Sequence, residues 1–535
     1  MLDAELGFYL VTSVFVLAVF VLAGLSWCRE FWDNRSHLPL PPGPPSLPIV
    51  GSIFSLHDRL RFWMSFNAWR STYGDLVYAR MGNKRILVVN SEEVAKDLFE
   101  GRSSIYSDKP HLLLRFGFQY IVVAVWRQVA SSPTNISSAI SSSCYHPVQL
   151  RSAYKMLFSF LQDPTDYLNH FQMFTFSYIL SVVYDHEPKD MNDAVARIMQ
   201  RYLEGVVGGM TPRAIVTMEA FPFLLRLPTW FPCATFKRAS VKCLQAGRDV
   251  REIPFQMVKE KMSNGQVPPC MVADTMNRMN GFEDEVVETA IKEAASIAFA
   301  GAAETNTSTL LVFLLAMVLH PEVQVKAHAE IDRVVGKDRL PGFDDRPALP
   351  YVDAILRETF RWYPVFPLGI PHATTTSDIY KGYYIPKGVA VIANTWQVHT
   401  TAMAHDEKKY PNPDEFKPER FLHEDGSLTS DTMRLGFGWG RRMCVGQHVA
   451  DASIWIAIAS FLAAFTAHKA LDEYGKEIPV VPRFSTGMTV FARFLPHPEK
   501  FPCRVVPRFH NASVEALTQL TGVGLSVGIA CEFLD

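Results

Sequence analysis

The sequence predicts a mainly α-helical protein with small β-sheets, preceded by one N-terminal transmembrane helix. Apolar residues recur at helical spacing through most of the chain, the alternating segments typical of strands are short, and a long uncharged run stands near the N-terminus. The 535 residues, 48% of them hydrophobic and 20% charged, suffice for a large buried core and exclude a disordered chain. A net charge of −2 gives no overall basic surface, so we expect no nucleic-acid partner.

Residues 1–28 are predicted to anchor the protein in a membrane. The 21 residues of Gly7–Trp27 carry no charge. As a helix they would extend about 31 Å, the thickness of the hydrocarbon core of a bilayer. Acidic residues precede this span, whereas Arg29 and Arg35 follow it, which by the positive-inside rule leaves the bulk of the protein in the cytosol. A cleaved signal peptide and a buried core helix are the alternative interpretations.

A proline-rich hinge at residues 38–48 follows the anchor. Its six prolines fix φ and prevent a helix, so we expect a stiff, extended spacer. The body of the protein is predicted to span residues 49–507. Residues 508–535 form a tail to which the sequence assigns no function.

Within the body, local patterns predict the main helices and strands. Arg85–Asn90 is typical of a strand, and Ser91 is the expected N-cap of the helix that follows. The segment Asp284–Leu319 has helical spacing throughout and is nearly uncharged in its second half, so it should be a long buried helix. Further predictions are helices at 320–336, Leu349–Tyr363 and Val449–Ala467, and a sheet segment with a turn at Gly382–Asn394.

The segment with the clearest chemistry surrounds Cys444. Residues 437–446 read Phe-Gly-Trp-Gly-Arg-Arg-Met-Cys-Val-Gly, and an apolar helix follows them. Its glycines let the backbone approach a flat group closely, and the helix N-terminus should favour the thiolate of Cys444. Arg442 can pair with a carboxylate. An isolated cysteine would be structural, but this frame indicates an anionic, planar, metal-bearing cofactor.

This pattern, F-x-x-G-x-R-x-C-x-G, resembles the haem-binding loop of the cytochromes P-450. Three further segments resemble motifs of that family in the same order. They are Gly301-Ala-Ala-Glu-Thr305 of the oxygen-activation helix, Glu358-Thr-Phe-Arg361 of the E-x-x-R motif, and Pro418-Glu-Arg420-Phe, which supplies a further arginine. The resemblance covers about residues 38–507 and is closest to the membrane-bound, microsomal type, particularly its fungal members. It implies the cytochrome P-450 fold, with a haem-thiolate catalytic domain at residues 49–507.

The resemblance also implies the cofactor and the residues that hold it. The cofactor would be haem b, with Cys444 as the axial iron ligand. Phe437, Gly440, Arg442 and Gly446 would form the loop around it, while Trp126 and His372 would reach the propionates; for His372, a plain loop histidine is the alternative. Glu358, Arg361 and Arg420 would form a structural network. Glu304 and Thr305 would be catalytic and deliver protons; for Glu304, a helix-surface carboxylate is the alternative.

The implied activity is the insertion of one oxygen atom from O2 into a lipophilic small molecule. Because no flavin or dinucleotide fingerprint is present in the sequence, electrons should come from an NADPH–haemoprotein reductase. With the predicted anchor, the location would be the endoplasmic reticulum membrane, crossed once, with the catalytic domain in the cytosol. An isomerase or dehydratase that needs no reductase is a lesser variant, against which the acid–alcohol pair at 304 and 305 argues.

Residues 121–144 depart from the family pattern. The family has a helix here, whereas this chain follows Trp126 with many serines and Pro133, which make a poor helix. Our hypothesis is a reading-frame or splicing error in this part of the gene. If the segment is genuine, the alternative function is a non-catalytic or defective membrane-anchored haem-binding protein. Residues 397–402 resemble an insertion.

Overall fold

A computed structural model gives the fold of the protein. It describes residues 24, 38–47, 50–56, 62–82, 84–110, 143–209, 228, 230, 235–266, 269–279, 284–395, 403–484, 497–509 and 513–521. The predicted span at 7–27 (apart from Gly24), nearly all of the segment 121–144 with Trp126, and the insertion at 397–402 lie outside the described residues. The chain divides into two units, and each is described by itself.

The first unit is built around β-strands and consists of residues 1–113, 367–411 and 438–443. Its main sheet has the strand order β1-β2-β6-β3, in which β2 runs parallel to β6 and the other pairs are antiparallel. Strands β4 and β5 form a separate antiparallel pair. The strands are β1 Leu76–Met81, β2 Lys84–Val89, β3 His372–Ala373, β4 Asp378–Tyr380, β5 Tyr383–Ile385 and β6 Ala390–Ala393. The helices are α1 Phe62–Tyr73, α2 Glu92–Ala95 and α3 Ser103–Tyr106, with a π-helical segment at Lys96–Gly101.

Two expectations for this unit can be compared with the structure. The strand predicted at 85–90 is β2, and the Ser91 side chain caps α2 by accepting a hydrogen bond from the backbone N–H of Val94 at 3.2 Å. The segment Gly382–Asn394 does contain two strands, β5 and β6. However, they do not pair as a hairpin, because β5 pairs with β4 whereas β6 inserts between β2 and β3.

The second unit is mainly helical and consists of residues 114–366, 412–437 and 444–535. Its helices are α4 His146–Gln162, α5 Tyr167–Tyr184, α6 Ala194–Gly209, α7 Thr235–Ser263, α8 Met271–Arg278, α9 Glu285–Leu319, α10 Pro321–Val334, α11 Pro350–Trp362, α12 Gln447–Ala464 and α13 Val514–Thr521. Strands β7 Phe465–Lys469 and β8 Cys503–Pro507 pair in antiparallel fashion.

Helix α9 lies at the centre of this unit and contacts α5, α11 and α12, while α4 contacts α5 and α12. The side chain of Asp284 caps α9 by accepting hydrogen bonds from the N–H groups of Val286 and Val287. Nearly every side chain from Asn306 to Val318 is buried, because neighbouring helices cover all faces of this half of α9. The largest apolar core of the described residues is formed here.

Helix α12 is shorter than predicted. It ends at Ala464, and Phe465–Lys469 forms strand β7, whereas the sequence pattern predicted a helix to Ala467. The backbone of β7 instead pairs with β8, which is distant in sequence, so a local apolar pattern could not reveal the end of the helix.

Two described helices, α9 and α12, are long and apolar enough to cross a membrane by length and composition. Both are mostly buried within the helical unit, which identifies them as core helices.

Part of the C-terminal tail folds onto the helical unit. Helix α13 contacts α4, and Leu517 is fully buried. The N–H of Leu340 donates a hydrogen bond to the carbonyl oxygen of Leu520 at 3.1 Å. The tail therefore contributes to the core, a role that the sequence did not suggest.

Candidate haem-thiolate site

The loop before α12 holds Cys444 through backbone hydrogen bonds. The N–H of Cys444 donates to the carbonyl oxygen of Phe437 at 2.7 Å. The backbone of Gly446, the residue before α12, forms a hydrogen bond with the Cys444 thiol. The sulfur is thus fixed between a short 3₁₀ turn that ends at Phe437 and the N-terminus of α12.

The Cys444 side chain is exposed, yet protein surrounds it closely enough for burial to dominate its electrostatics. Burial raises the pKa of the Cys444 thiol, and the hydrogen bond from Gly446 only partly offsets this. The hydrogen bond from Gly446, just before α12, favours the thiolate, but burial has the larger effect on this pKa. A positively charged metal ion would supply the missing stabilisation, since a coordinating thiol loses its proton to the metal.

Gly440 has a different role from the one that the sequence indicated. Its φ is +51°, and a Cβ at this position would lie 2.1 Å from the carbonyl oxygen of Phe99. Any side chain would therefore clash with the π-helical segment 96–101 as well as strain the backbone. Gly440 allows close approach of one backbone segment to another. Gly446 has φ −80°, a backbone conformation that residues other than glycine also adopt.

A cluster of three basic side chains lies in the strand-containing unit. His372 contacts the carbonyl oxygen of Tyr106 through Nδ1 at 2.7 Å, and Arg442 Nε donates to the carbonyl oxygen of Ser107 at 2.8 Å. Lys109, which is buried, donates through Nζ to the carbonyl oxygen of Ile370 at 3.1 Å. The structure thus brings together two predicted residues, His372 and Arg442, and adds Lys109.

Burial and mutual repulsion shift the pKa values of this cluster. Burial, then the charge of Arg442, lowers the pKa of Lys109 to about 7, against a smaller opposing effect of Asp108. Burial, then the charge of Lys109, lowers the pKa of His372 to about 3. The charged forms of these basic groups therefore destabilise one another. A carboxylate placed beside them would offset this repulsion. The cluster fits the carboxylates of an anionic cofactor. Nothing in the sequence singles out Lys109, because a single lysine in a loop belongs to no motif.

Glu358 and Arg361 form a fully buried ion pair on α11. Arg361 donates to both carboxylate oxygens of Glu358, at 2.6 and 2.8 Å, in a bidentate arrangement. Arg420 Nε and the N–H of Lys417 add hydrogen bonds to Glu358 Oε1 at 3.1 and 2.8 Å. The carboxylate is saturated with donors, which is the condition under which a buried charge is tolerated.

Glu304 and Thr305 lie on α9 in a half-buried position. Burial raises the pKa of Glu304, and within the described residues its carboxyl forms no hydrogen bond or ion pair. It is not a solvated surface carboxylate. Thr305 Oγ1 donates to the carbonyl oxygen of Gly301 at 2.8 Å. The carboxyl of Glu304, with its raised pKa, is thus followed directly along α9 by the hydroxyl of Thr305.

These features define the class of protein. In the helical unit the thiol of Cys444 suits a single metal ligand, and in the strand-containing unit the basic cluster suits acidic groups such as those of a porphyrin. Each feature by itself is one that a haem-thiolate protein needs.

Comparison with known proteins identifies the family. The sequence profile described as Cytochrome P450 matches residues 41–479. A cytochrome P450 monooxygenase of Armillaria gallica is 35% identical over 525 residues, which are 94% of this chain and 99% of that protein. Cytochrome P450 monooxygenase 136 of Postia placenta is 34% identical over 515 residues (93% and 94%), and claR of Ampulloclitocybe clavipes is 35% identical over 495 residues (90% and 89%). The chain belongs to the cytochrome P450 family and is a cytochrome P450 monooxygenase.

Proposed function

We propose that this cytochrome P450 inserts one oxygen atom of O2 into a lipophilic small molecule, with electrons from an NADPH-dependent reductase. The observation that carries the proposal is the position of Thr305 and Glu304 on α9. Although most of α9 is buried, one face around Thr305 is accessible. The residues of this face are Ile297, Ala298, Gly301, Ala302 and Thr305.

This accessible face of α9 supports a lipophilic substrate. Apart from the Thr305 hydroxyl, these five residues present apolar groups, and Gly301 is the most exposed of them; the half-buried Glu304 borders them on α9. An apolar wall binds a hydrocarbon framework and offers little to a charged one. One hydroxyl among apolar groups suits the handling of a small polar reactant such as O2 or water.

The residues of the helical unit have separable tasks in this reaction. When bound, thiolate-ligated haem supplies the activation of O2, because the thiolate donates electron density that favours O–O cleavage. Cys444 would hold the iron. Glu304 would hold a proton, since burial raises its pKa and so favours the acid form. Thr305 would hold water or oxygen next to this acid through its hydroxyl.

The location and the electron source complete the proposal. The sequence has no dinucleotide fingerprint, so a separate NADPH–haemoprotein reductase would supply electrons. The uncharged span at 7–27 would anchor the protein once in the endoplasmic reticulum membrane, with the haem-thiolate catalytic domain in the cytosol.

Expression of the full chain with a reductase tests the proposal. The expected results are a thiolate-type Soret band in the reduced, carbon monoxide-bound protein and an oxygenated product from lipophilic compounds that depends on NADPH. Protein without bound haem, or with haem but no NADPH consumption, would instead support the non-catalytic alternative that the segment 121–144 raises. Transcript sequencing of that segment would show whether the printed reading frame is correct.

A further inference from the structure

Four buried polar side chains form a chain across the helical unit. They come from four packed helices: Gln149 from α4, Tyr178 from α5, Asn306 from α9 and Ser453 from α12. Each is at most 1% exposed. Buried polar groups in an apolar core need partners, and these four find them mainly in one another.

Hydrogen bonds link the four side chains of this chain to one another. Asn306 donates through Nδ2 to the Tyr178 hydroxyl, and the Tyr178 hydroxyl is hydrogen-bonded to Ser453. Ser453 donates to the carbonyl oxygen of Val449, and Gln149 Nε2 donates both to that carbonyl and to Ser453 Oγ, each at 3.1 Å. The Tyr178 hydroxyl thus accepts the hydrogen bond from Asn306 Nδ2.

The hydrogen bond to Tyr178 fixes how the Asn306 carboxamide is oriented. Its nitrogen is committed to Tyr178, so its oxygen points the other way, to within 3.4 Å of Thr305 Oγ1. The Thr305 hydroxyl therefore has three acceptors within reach: the Gly301 carbonyl at 2.8 Å, and the Ala302 carbonyl and the Asn306 Oδ1 at 3.4 Å each. A threonine within a helix ordinarily donates only to a preceding carbonyl of its own helix.

We propose that Asn306 is a positioning residue for Thr305. Held by Tyr178, its carboxamide offers the Thr305 hydroxyl a side-chain acceptor beside the two helix carbonyls, which lets this proton leave the Gly301 carbonyl without losing a hydrogen bond. The hydroxyl can then change direction at low cost while it handles water or oxygen. This inference rests on the proposed function. It assigns to Asn306 and Tyr178 an effect, through Thr305, on the share of NADPH oxidation that leads to product.

A purely structural role would have a different signature. A polar chain between four helices also stabilises their packing, so any variant within it should lower the unfolding temperature. Packing alone, however, gives no reason for the products of the reaction to change. The ratio of hydrogen peroxide released to NADPH oxidised is therefore the discriminating measurement.

The experiment compares Asn306→Ala, Tyr178→Phe and their double variant in the full-length, haem-loaded protein with a reductase. Tyr184→Phe is the matched control, because Tyr184 is also buried on α5 but its hydroxyl has no hydrogen-bond partner among the described residues. For each, we would measure the carbon monoxide difference spectrum, the unfolding temperature and the peroxide released per NADPH.

Asn306→Ala and Tyr178→Phe should each keep the thiolate-type spectrum and raise the peroxide fraction by about fivefold, the ratio that one neutral hydrogen bond supports. The double variant should be no worse than either single variant, because both act through the same acceptor. Tyr184→Phe should match the unaltered protein. If Asn306→Ala does not fold, the near-isosteric Tyr178→Phe decides alone.

Lower unfolding temperatures with an unchanged peroxide fraction would overturn the inference and leave a structural network. Absence of the thiolate-type band in the unaltered protein would instead overturn the proposed function, and this inference with it. The two failures are therefore distinguishable by the spectrum.

Discussion

The backbone N–H of Cys444 donates a 2.7 Å hydrogen bond to the carbonyl oxygen of Phe437, which closes the loop that presents the sulfur. The position of the sulfur is therefore set by the backbone and does not depend on the flexibility of a long side chain. This arrangement suits a metal ligand, whose sulfur must stay at one point.

Replacing Cys444 by alanine should abolish the thiolate-type Soret band of the reduced, carbon monoxide-bound protein, because no other atom of that loop can serve as the thiolate ligand. The matched control is Cys144→Ala, since Cys144 is also an exposed cysteine. The control should keep the full band. An unchanged spectrum in Cys444→Ala would contradict the assignment of the iron ligand.

Replacing Thr305 by alanine should keep the spectrum but slow product formation by about 100-fold, the lower end of what a positioned proton donor contributes. Electrons from NADPH should then appear as hydrogen peroxide. Thr305→Ser should restore most of the product, because it keeps the hydroxyl. Thr309→Val, one turn further along α9 and buried, is the control and should leave the yield unchanged. Full product yield from Thr305→Ala would exclude a role for its hydroxyl.

Replacing Arg361 by alanine should lower the free energy of unfolding by about 3 to 5 kcal/mol, because it leaves the Glu358 carboxylate buried with fewer donors. The comparison is Lys381→Ala, which breaks the ion pair with Glu93. The side chains of that pair are 52% and 77% exposed. Such a surface pair contributes about 0.2 to 1 kcal/mol. Denaturant unfolding of both variants measures the difference, and equal losses would argue against the buried network as a stabilising element.

The affinity for haem should depend on pH through Lys109. Without the cofactor, burial and Arg442 lower the pKa of Lys109 from 10.5 to about 7. A carboxylate beside the ammonium group raises this pKa again, so binding takes up a proton at pH values above 7. Affinity should therefore fall as the pH rises above 7.

The test of this pH dependence is a haem titration of the apoprotein at pH 6 and pH 9, followed by absorbance. Lys109→Met should weaken binding at pH 6 by about tenfold, as expected for the loss of one charge-assisted hydrogen bond, and should flatten the decline toward pH 9. Lys387→Met, at an exposed lysine of the same unit, should behave as the unaltered protein. If haem affinity declines toward pH 9 as steeply in Lys109→Met as in the unaltered protein, the proton taken up on binding belongs to another group.

Sequence patterns predicted those features that local residues determine. The helix at 284–319 and its Asp284 cap were predictable because spacing and cap lie within one segment. The Glu358–Arg361 pair follows from the i, i+3 geometry of a helix. The position of Cys444 just before a helix was also predictable, because the apolar pattern of that helix follows it directly.

Features that depend on distant contacts were not predictable. Lys109 became a candidate only when the fold brought it near Arg442, and the Asn306–Tyr178 contact joins helices 128 positions apart in sequence. The burial that raises the pKa of Cys444 also comes from surrounding elements and outweighs the local hydrogen bond from Gly446. The strand that ends α12 likewise requires its partner β8.

The family profile ends at residue 479, but the polypeptide continues to fold against the helical unit as far as helix α13. A gene trimmed to the matched region for expression would lose strand β8 and the Leu517 side chain that fills the core. It would expose apolar side chains of α4 and leave the edge of β7 unpaired. Exposed apolar patches and unpaired strand edges both promote aggregation. Affinity tags should therefore be appended after the last residue, and C-terminal shortening should be avoided when the protein is produced.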